Sequence, residues 1–124
     1  MLVSRVVITG FIKNEEVDAS MELLKLGLYV GSSSNNYASG AINNLLANKV
    51  PLLTTNIAQF SKIKSSYNCL EICDNPTDAQ NLANNILEII NSNSKIEELK
   101  ANCEKYITEH SFVNFAQNTI AKYK

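Results

Sequence analysis

Short β-branched runs alternate with helical stretches along this chain, and that alternation restricts the fold more than any other feature. Residues 2–9, Leu-Val-Ser-Arg-Val-Val-Ile-Thr, read as a strand bounded by Gly10. Asn14 can cap a following helix, with Glu15 and Glu16 in the first turn, where the helix dipole favours negative charge. Val17, Met21, Leu24 and Leu28 keep helical spacing, and Gly27 marks the stop. Residues 28–30 are a second apolar run, followed by a polar loop at 31–36. Ser39 caps a helix through Lys49, with Ile42, Leu45 and Leu46 on one face. Pro51–Thr55 reads as a third strand, since proline fits a strand's first residue. Asn56 can cap a short helix carrying Phe60 and Ile63, and Cys69–Cys73 is a fourth strand. Thr77, Ser94 and Ser111 then open three helices in turn.

Four strand–helix units followed by two helices predict an α/β domain. The expected architecture is a Rossmann-like three-layer unit: a short, mainly parallel sheet of about four strands, with two extra C-terminal helices. Ligands of such sheets sit at the carboxyl ends of the strands, here Thr9–Ile12, Gly31–Ser39, Thr54–Asn56 and Cys73–Asn75. A length of 124 residues suits one domain with one unaided core. With 11 Lys+Arg against 12 Asp+Glu, the net charge of −1 offers no basic field for nucleic acid or an anionic membrane. Apolar runs are too short to insert into a bilayer, and residues 1–5 lack the pattern of a signal peptide. Three cysteines, Cys69, Cys73 and Cys103, do not make a disulfide framework, so the expected compartment is the cytoplasm.

Three phrases carry a resemblance: Val7-Ile-Thr-Gly-Phe-Ile12, Tyr37-Ala-Ser-Gly-Ala-Ile42, and Leu46-Ala-Asn-Lys-Val-Pro-Leu-Leu-Thr-Thr-Asn56. In that order and spacing, with His110-Ser-Phe112 opening the last helix, the chain resembles the second half of the C-terminal, donor-binding domain of a GT-B glycosyltransferase of the group 1, family 4-like type. The resemblance implies a nucleotide-diphosphate sugar as ligand, held in a cleft between two domains, with no metal and no other cofactor. It places the diphosphate at the amides of Ser39, Gly40 and Ala41, where a helix start offers N–H groups and a positive dipole end. Phe11 and Ile12 match the loop that packs on the base. Ser39 reads equally as a plain helix cap and Gly40 as a packing glycine.

The chain departs from the family pattern in three ways. The two motif glutamates fall at Asn36 and Asn44, with Asn44 also the ribose-binding candidate. Carboxylates there would make charge-assisted bonds, roughly twice as strong as neutral ones, and would stabilise a positive transition state; amides still donate and accept. The two preceding strand–helix units, with their Arg/Lys pair, and the acceptor domain have no counterpart, so residues 1–124 are expected to form a single truncated domain. The sheet is then completed by 2–9 pairing with 28–30, by a second subunit or homo-oligomer, or by the rest of a larger protein.

Other residues read blandly. His110 is a surface or capping histidine. Cys69 and Cys73 are spaced to face one side of a strand as small buried hydrophobes, and Cys103 sits on an apolar helix face. Three functions remain open: a donor-binding half of a split glycosyltransferase, a non-catalytic binding or regulatory module, or an oligomeric structural protein that retained the fold. Activity of the isolated chain is not expected, because catalysis needs both cleft walls to position the reactants.

Overall fold

The computed structural model describes residues 6–30 and 40–124. In chain order these form α1 (Asn14–Glu22), β1 (Gly27–Tyr29), α2 (Gly40–Ala47), β2 (Leu52–Thr55), α3 (Ala58–Tyr67), β3 (Leu70–Cys73), α4 (Ala79–Ile90), α5 (Asn93–Glu109) and α6 (Phe112–Lys122). The fold is α/β. The strands make one parallel sheet in the order β1-β2-β3, with Gly27 opposite Leu52 and Leu52 opposite Leu70.

The central strand organises the core. Leu52 and Leu53 are both fully buried yet belong to different apolar clusters, because neighbouring strand residues point to opposite faces. Leu52 meets Ile42 and Leu46 of α2, Phe60 of α3, Leu70, and Cys103 and Tyr106 of α5. Leu53 joins Cys73, Ile89 of α4, and Ile96 and Leu99 of α5. A parallel strand covered on both faces tolerates a continuous apolar run, as Leu-Leu-Thr-Thr shows. Burying each leucine contributes about 1.5–3 kcal/mol.

One helix, α5, contributes to both clusters, so it crosses the end of the sheet. It is pinned to the residues just before two strands. Asn102 Nδ2 donates to the Asn68 carbonyl at 3.0 Å, Asn68 Nδ2 donates to Glu98 Oε1 at 3.2 Å, and Glu104 pairs with Lys49. Asn68 and Lys49 both adopt left-handed backbone where a helix ends. After α2, the amides of Lys49 and Val50 return to the carbonyls of Leu46 and Leu45, a Schellman closure with lysine where glycine is usual. The amino ends of the strands are thereby covered, and among the described residues no helix crosses the carboxyl ends in the same way.

The structure corrects the sequence reading at several points. Three strands stand among the described residues, and a fourth is not seen there. Residues 6–9 of the expected first strand belong to no helix or strand, and Val6, Val7 and Ile8 are 71%, 82% and 92% exposed because no strand flanks them. The rest of that expected strand lies outside the described residues. Helix α1 ends at Glu22, and Gly27 opens β1 instead of stopping a helix. Its N–H donates to the Pro51 carbonyl at 2.8 Å, and a Cβ there would come within 2.8 Å of Leu52 Cδ2. The glycine therefore permits close approach of β1 to β2. Caps shift by a residue or two: Asp78 caps α4 and Ser92 caps α5, in place of Thr77 and Ser94, while α3 has no side-chain cap from Asn56. Ser111 caps α6 as expected.

Two outcomes test this packing. Gly27→Val should lower stability by about 1–3 kcal/mol, the usual cost of forcing a methyl group into a filled core, read as a lower urea midpoint at unchanged slope; an unchanged midpoint would refute the close approach. Lys49→Gly should be more stable than Lys49→Ala by about 1 kcal/mol, since both lose the Glu104 pair but only glycine relieves the left-handed backbone. Equal stability of the two variants would show that no strain resides at residue 49.

Candidate functional site

The open carboxyl edge collects short polar side chains. Thr55 ends β2 and is followed by Asn56; Cys73 ends β3 and is followed by Asp74 and Asn75. Asn56 Nδ2 donates to Asp74 Oδ1 at 2.9 Å, and Ser61 Oγ donates to Asn56 Oδ1 at 2.9 Å. This bridge ties the β2 and β3 ends together across the edge. Thr77 Oγ1 donates to Asn75 Oδ1 at 3.0 Å, and the Cys73 thiol donates to Asn81 Oδ1 at 3.3 Å. The start of α4 is already satisfied: the Asp78 carboxylate accepts from the amides of Gln80 and Asn81 at 3.0 and 3.3 Å. Its dipole end therefore holds its own anion. By contrast, α3 has Ile57 at its N-cap position and no side-chain cap.

The β1 end leads through residues 31–39 to α2. Of the expected diphosphate ligands, Gly40 and Ala41 form the exposed first turn of α2. Among the described residues a Cβ built on Gly40 would meet nothing within 4 Å, so their packing does not demand glycine there. Ser39 and Asn36 lie outside the described residues. Asn44 sits one turn further along α2, exposed, and borders a hollow of about 450 Å³ shared with Asn43, Tyr106 and His110. Phe11 and Ile12 precede α1. Phe11 is 88% exposed and so is not packed on the α2 turn. The structure thus brings Gly40, Ala41 and Asn44 onto one helix and leaves Phe11 apart from them.

A second cluster gathers where α5 ends. The His110 ring stacks on Tyr106 at 4.1 Å and meets Tyr67 edge-on at 5.5 Å. His110 Nδ1 lies 3.0 Å from the Tyr106 carbonyl. The Tyr106 hydroxyl donates to Asn43 Oδ1, and the Tyr67 hydroxyl donates to Glu109 Oε2, each at 2.7 Å. The bond to the Glu109 carboxylate, together with burial, pushes Tyr67 up to about 12. Burial, with the neighbouring Cys69, also raises Tyr106. Every polar contact here ties α5 to α2, to α3 or to itself, so the cluster works as a strut. His110 is the cap of α5, in line with its sequence reading. Tyr106 and His110 are one helical turn apart, but residues 43 and 67 are too far from them in sequence for any local spacing to announce the cluster.

Charge concentrates at β3. Glu71 Oε2 accepts from Lys64 at 2.7 Å, and Oε1 lies 2.5 Å from Lys95. Burial alone would raise the Glu71 carboxyl; the bonds from Lys64 and Lys95 outweigh it and hold the carboxyl below its ordinary range. Glu71 in turn raises Lys95. Lys64 also approaches the Leu70 carbonyl at 3.4 Å, on the outer edge of β3. This trio closes a sheet edge with charge.

The cysteines depart from expectation in one respect. Cys69 precedes β3 and packs with Leu70 and Cys103, whereas Cys73 lies in the opposite cluster, so the two do not share a strand face. The strand starts only at Leu70, and Cys69 escapes its alternation. All three thiols are free and buried. The contact with Cys69, with burial, pushes the Cys103 thiol up. Among the described residues no group of three His, Cys, Asp or Glu side chains could hold a metal ion, and no helix is long and apolar enough to cross a membrane. No family model, curated protein or solved structure matches the chain.

Glu71→Gln should cost about 2 kcal/mol at neutral pH, between the values for exposed and buried ion pairs. A carboxyl whose folded pKa is depressed stabilises above its unfolded value and loses that contribution as pH falls through the folded one. The stability of the natural chain should therefore drop steeply below about pH 4.3, the ordinary glutamate value. The Gln variant should show a flatter acid limb by urea titration. Parallel acid limbs would remove Glu71 as their source.

Proposed function

We propose that this chain is a glycosyltransferase-like donor-binding unit that takes a nucleotide-diphosphate sugar at the carboxyl edge of its sheet. The observation that carries this reading is the first turn of α2, with Gly40 and Ala41 exposed and open space beside Gly40, following the β1 end of a parallel sheet. A helix start of this kind favours a diphosphate, and parallel sheets offer ligands their carboxyl edge. The covering of the opposite edge by α5 and the self-satisfied start of α4 leave the starts of α2 and α3, and the family resemblance favours α2. Asn44 supplies an amide for the ribose, and Phe11, which stands apart from α2 in this structure, joins Ile12 as the surface for the base only once that loop reaches the carboxyl edge.

Binding without catalysis is the form of this reading we favour. Asn36 and Asn44 carry amides where the resembling family has glutamates, and Asn44 borders the hollow toward α5. Turnover then depends on a second subunit, or on further chain, that supplies the acceptor wall and the missing cationic pair. The buried free thiols suit a reducing compartment such as the cytoplasm.

The test is thermal unfolding with uridine, guanosine and adenosine diphosphate sugars. One of them at 100 times its dissociation constant should add about 2.7 kcal/mol. Gly40→Val should abolish that gain and leave the free protein's stability within about 0.5 kcal/mol, since no neighbour meets the new side chain. No gain at millimolar ligand would refute donor binding, and a gain that survives Gly40→Val would move the site elsewhere.

A further inference from the structure

The two outer strands of the sheet are finished differently. The β3 edge carries Lys64 against the Leu70 carbonyl, backed by Glu71 and Lys95. The β1 edge has no such protection among the described residues. The Gly27 N–H points to β2, so alternation turns the N–H and C=O of Leu28 outward, and those of Val30 likewise if the extended backbone continues. Leu28 and Val30 are also apolar and half-exposed, at 46% and 43%. An edge of this kind is a template for another strand.

The same chain holds a strand-forming segment with nothing to pair to. Val6, Val7 and Ile8 stand in solvent just ahead of α1. Helix α1 lies on the side of the sheet that a crossover would need. Asn48, at the end of α2, donates to Asp18 Oδ1 at 3.2 Å and reaches Met21 Sδ at 3.8 Å. Helices α2 and α3 share the face of Leu52 and Leu70. A strand on the outer side of β1, joined to it by α1 on the α2 side, has the same hand as the β1–α2–β2 and β2–α3–β3 crossovers, as parallel units require. The joints are residues 10–13 and 23–26, four residues each and within the usual range for such loops. Gly10 has φ +71°, a turn conformation that a side chain would resist.

We infer that Val6–Thr9 is a strap that closes onto the free edge of β1 of its own chain as a fourth parallel strand, giving the order 6–9, β1, β2, β3. Closure buries Val6 to Ile8 and pairs the outward groups of Leu28. It also carries Phe11 and Ile12 to the carboxyl edge beside the β1 end. This last consequence rests on the donor-binding reading above; the strand pairing does not.

Hydrogen exchange on the full chain tests the strap. The Leu28 amide should exchange at least about 100-fold more slowly than in an unstructured chain, at every protein concentration. In the double variant V7P/I8P one proline necessarily removes the N–H that faces β1, whichever the register. Leu28 protection should then vanish, while the Leu53 and Leu70 amides remain protected and show that the core is intact. Fast exchange at Leu28 in the natural chain would overturn the inference. Protection that grows with concentration, alongside a faster-sedimenting species, would overturn it in favour of a second copy. A protected Leu28 with no response to nucleotide sugars would retain the strap and refute donor binding; a nucleotide response with fast exchange at Leu28 would do the reverse.

Discussion

The structure depends on burying β2 from every side. A four-residue strand with Leu52 and Leu53 on opposite faces must be flanked by a strand on each edge and covered by helices above and below. Parallel neighbours can be reached only by crossovers, so α2 and α3 follow from the direction of the strands. Their apolar residues Ile42, Leu46 and Phe60 fill one face, and α4 supplies Ile89 to the other. Gly27 belongs to the same constraint. The β1 backbone pairs with β2 beside the buried Leu52 side chain, and a Cβ at residue 27 would come within 2.8 Å of Leu52 Cδ2 and oblige that side chain to shift.

Helix α5 determines which end of the sheet stays open. With 17 residues it is the longest described helix, and its apolar positions Ile96, Leu99, Cys103 and Tyr106 drift from one cluster to the other. A helix that serves both faces must pass an end of the strands, and the contacts with Asn68 and Lys49 place it at the amino end. The stack of His110 on Tyr106 and the Tyr67–Glu109 bond hold its far end against α3. The hollow beside that stack is walled by α2 and the end of α5, with Asn44 on its border, and the Tyr106 hydroxyl that lines it already has a partner in Asn43.

What the chain makes legible is periodic. The apolar and β-branched run at 52–55 and the short run at 70–73, broken only by Glu71, with apolar-faced helices after them, can be read directly, because burial on two faces or one leaves a pattern in the sequence. Ser111 is legible as a cap because it precedes an apolar run. Side-chain partners across the fold leave no such period. Nothing near Glu71 in sequence announces Lys95, and nothing near Tyr106 announces Asn43. Gly27 is ambiguous by itself, since a glycine after a helix and a glycine at a tight strand contact look alike until the neighbour is known. Of the candidate site, Gly40, Ala41 and Asn44 come from the family resemblance, and helical spacing makes legible only that they share one helix; nothing in the spacing reveals that Phe11 stands apart from them.

That dependence links the edge of the sheet to its mouth. In a parallel sheet each strand delivers the loop that follows it to the carboxyl edge, so a loop can line the site only if its strand is paired. The loops after β2 and β3 meet this condition, and the Asn56–Asp74 bridge joins them there. The Phe11–Ile12 loop meets it only through the edge of β1. Under the pairing proposed above, an apolar, uncharged edge at β1 admits that strand while the charged edge at β3 refuses one, and in its absence Phe11 stands in solvent.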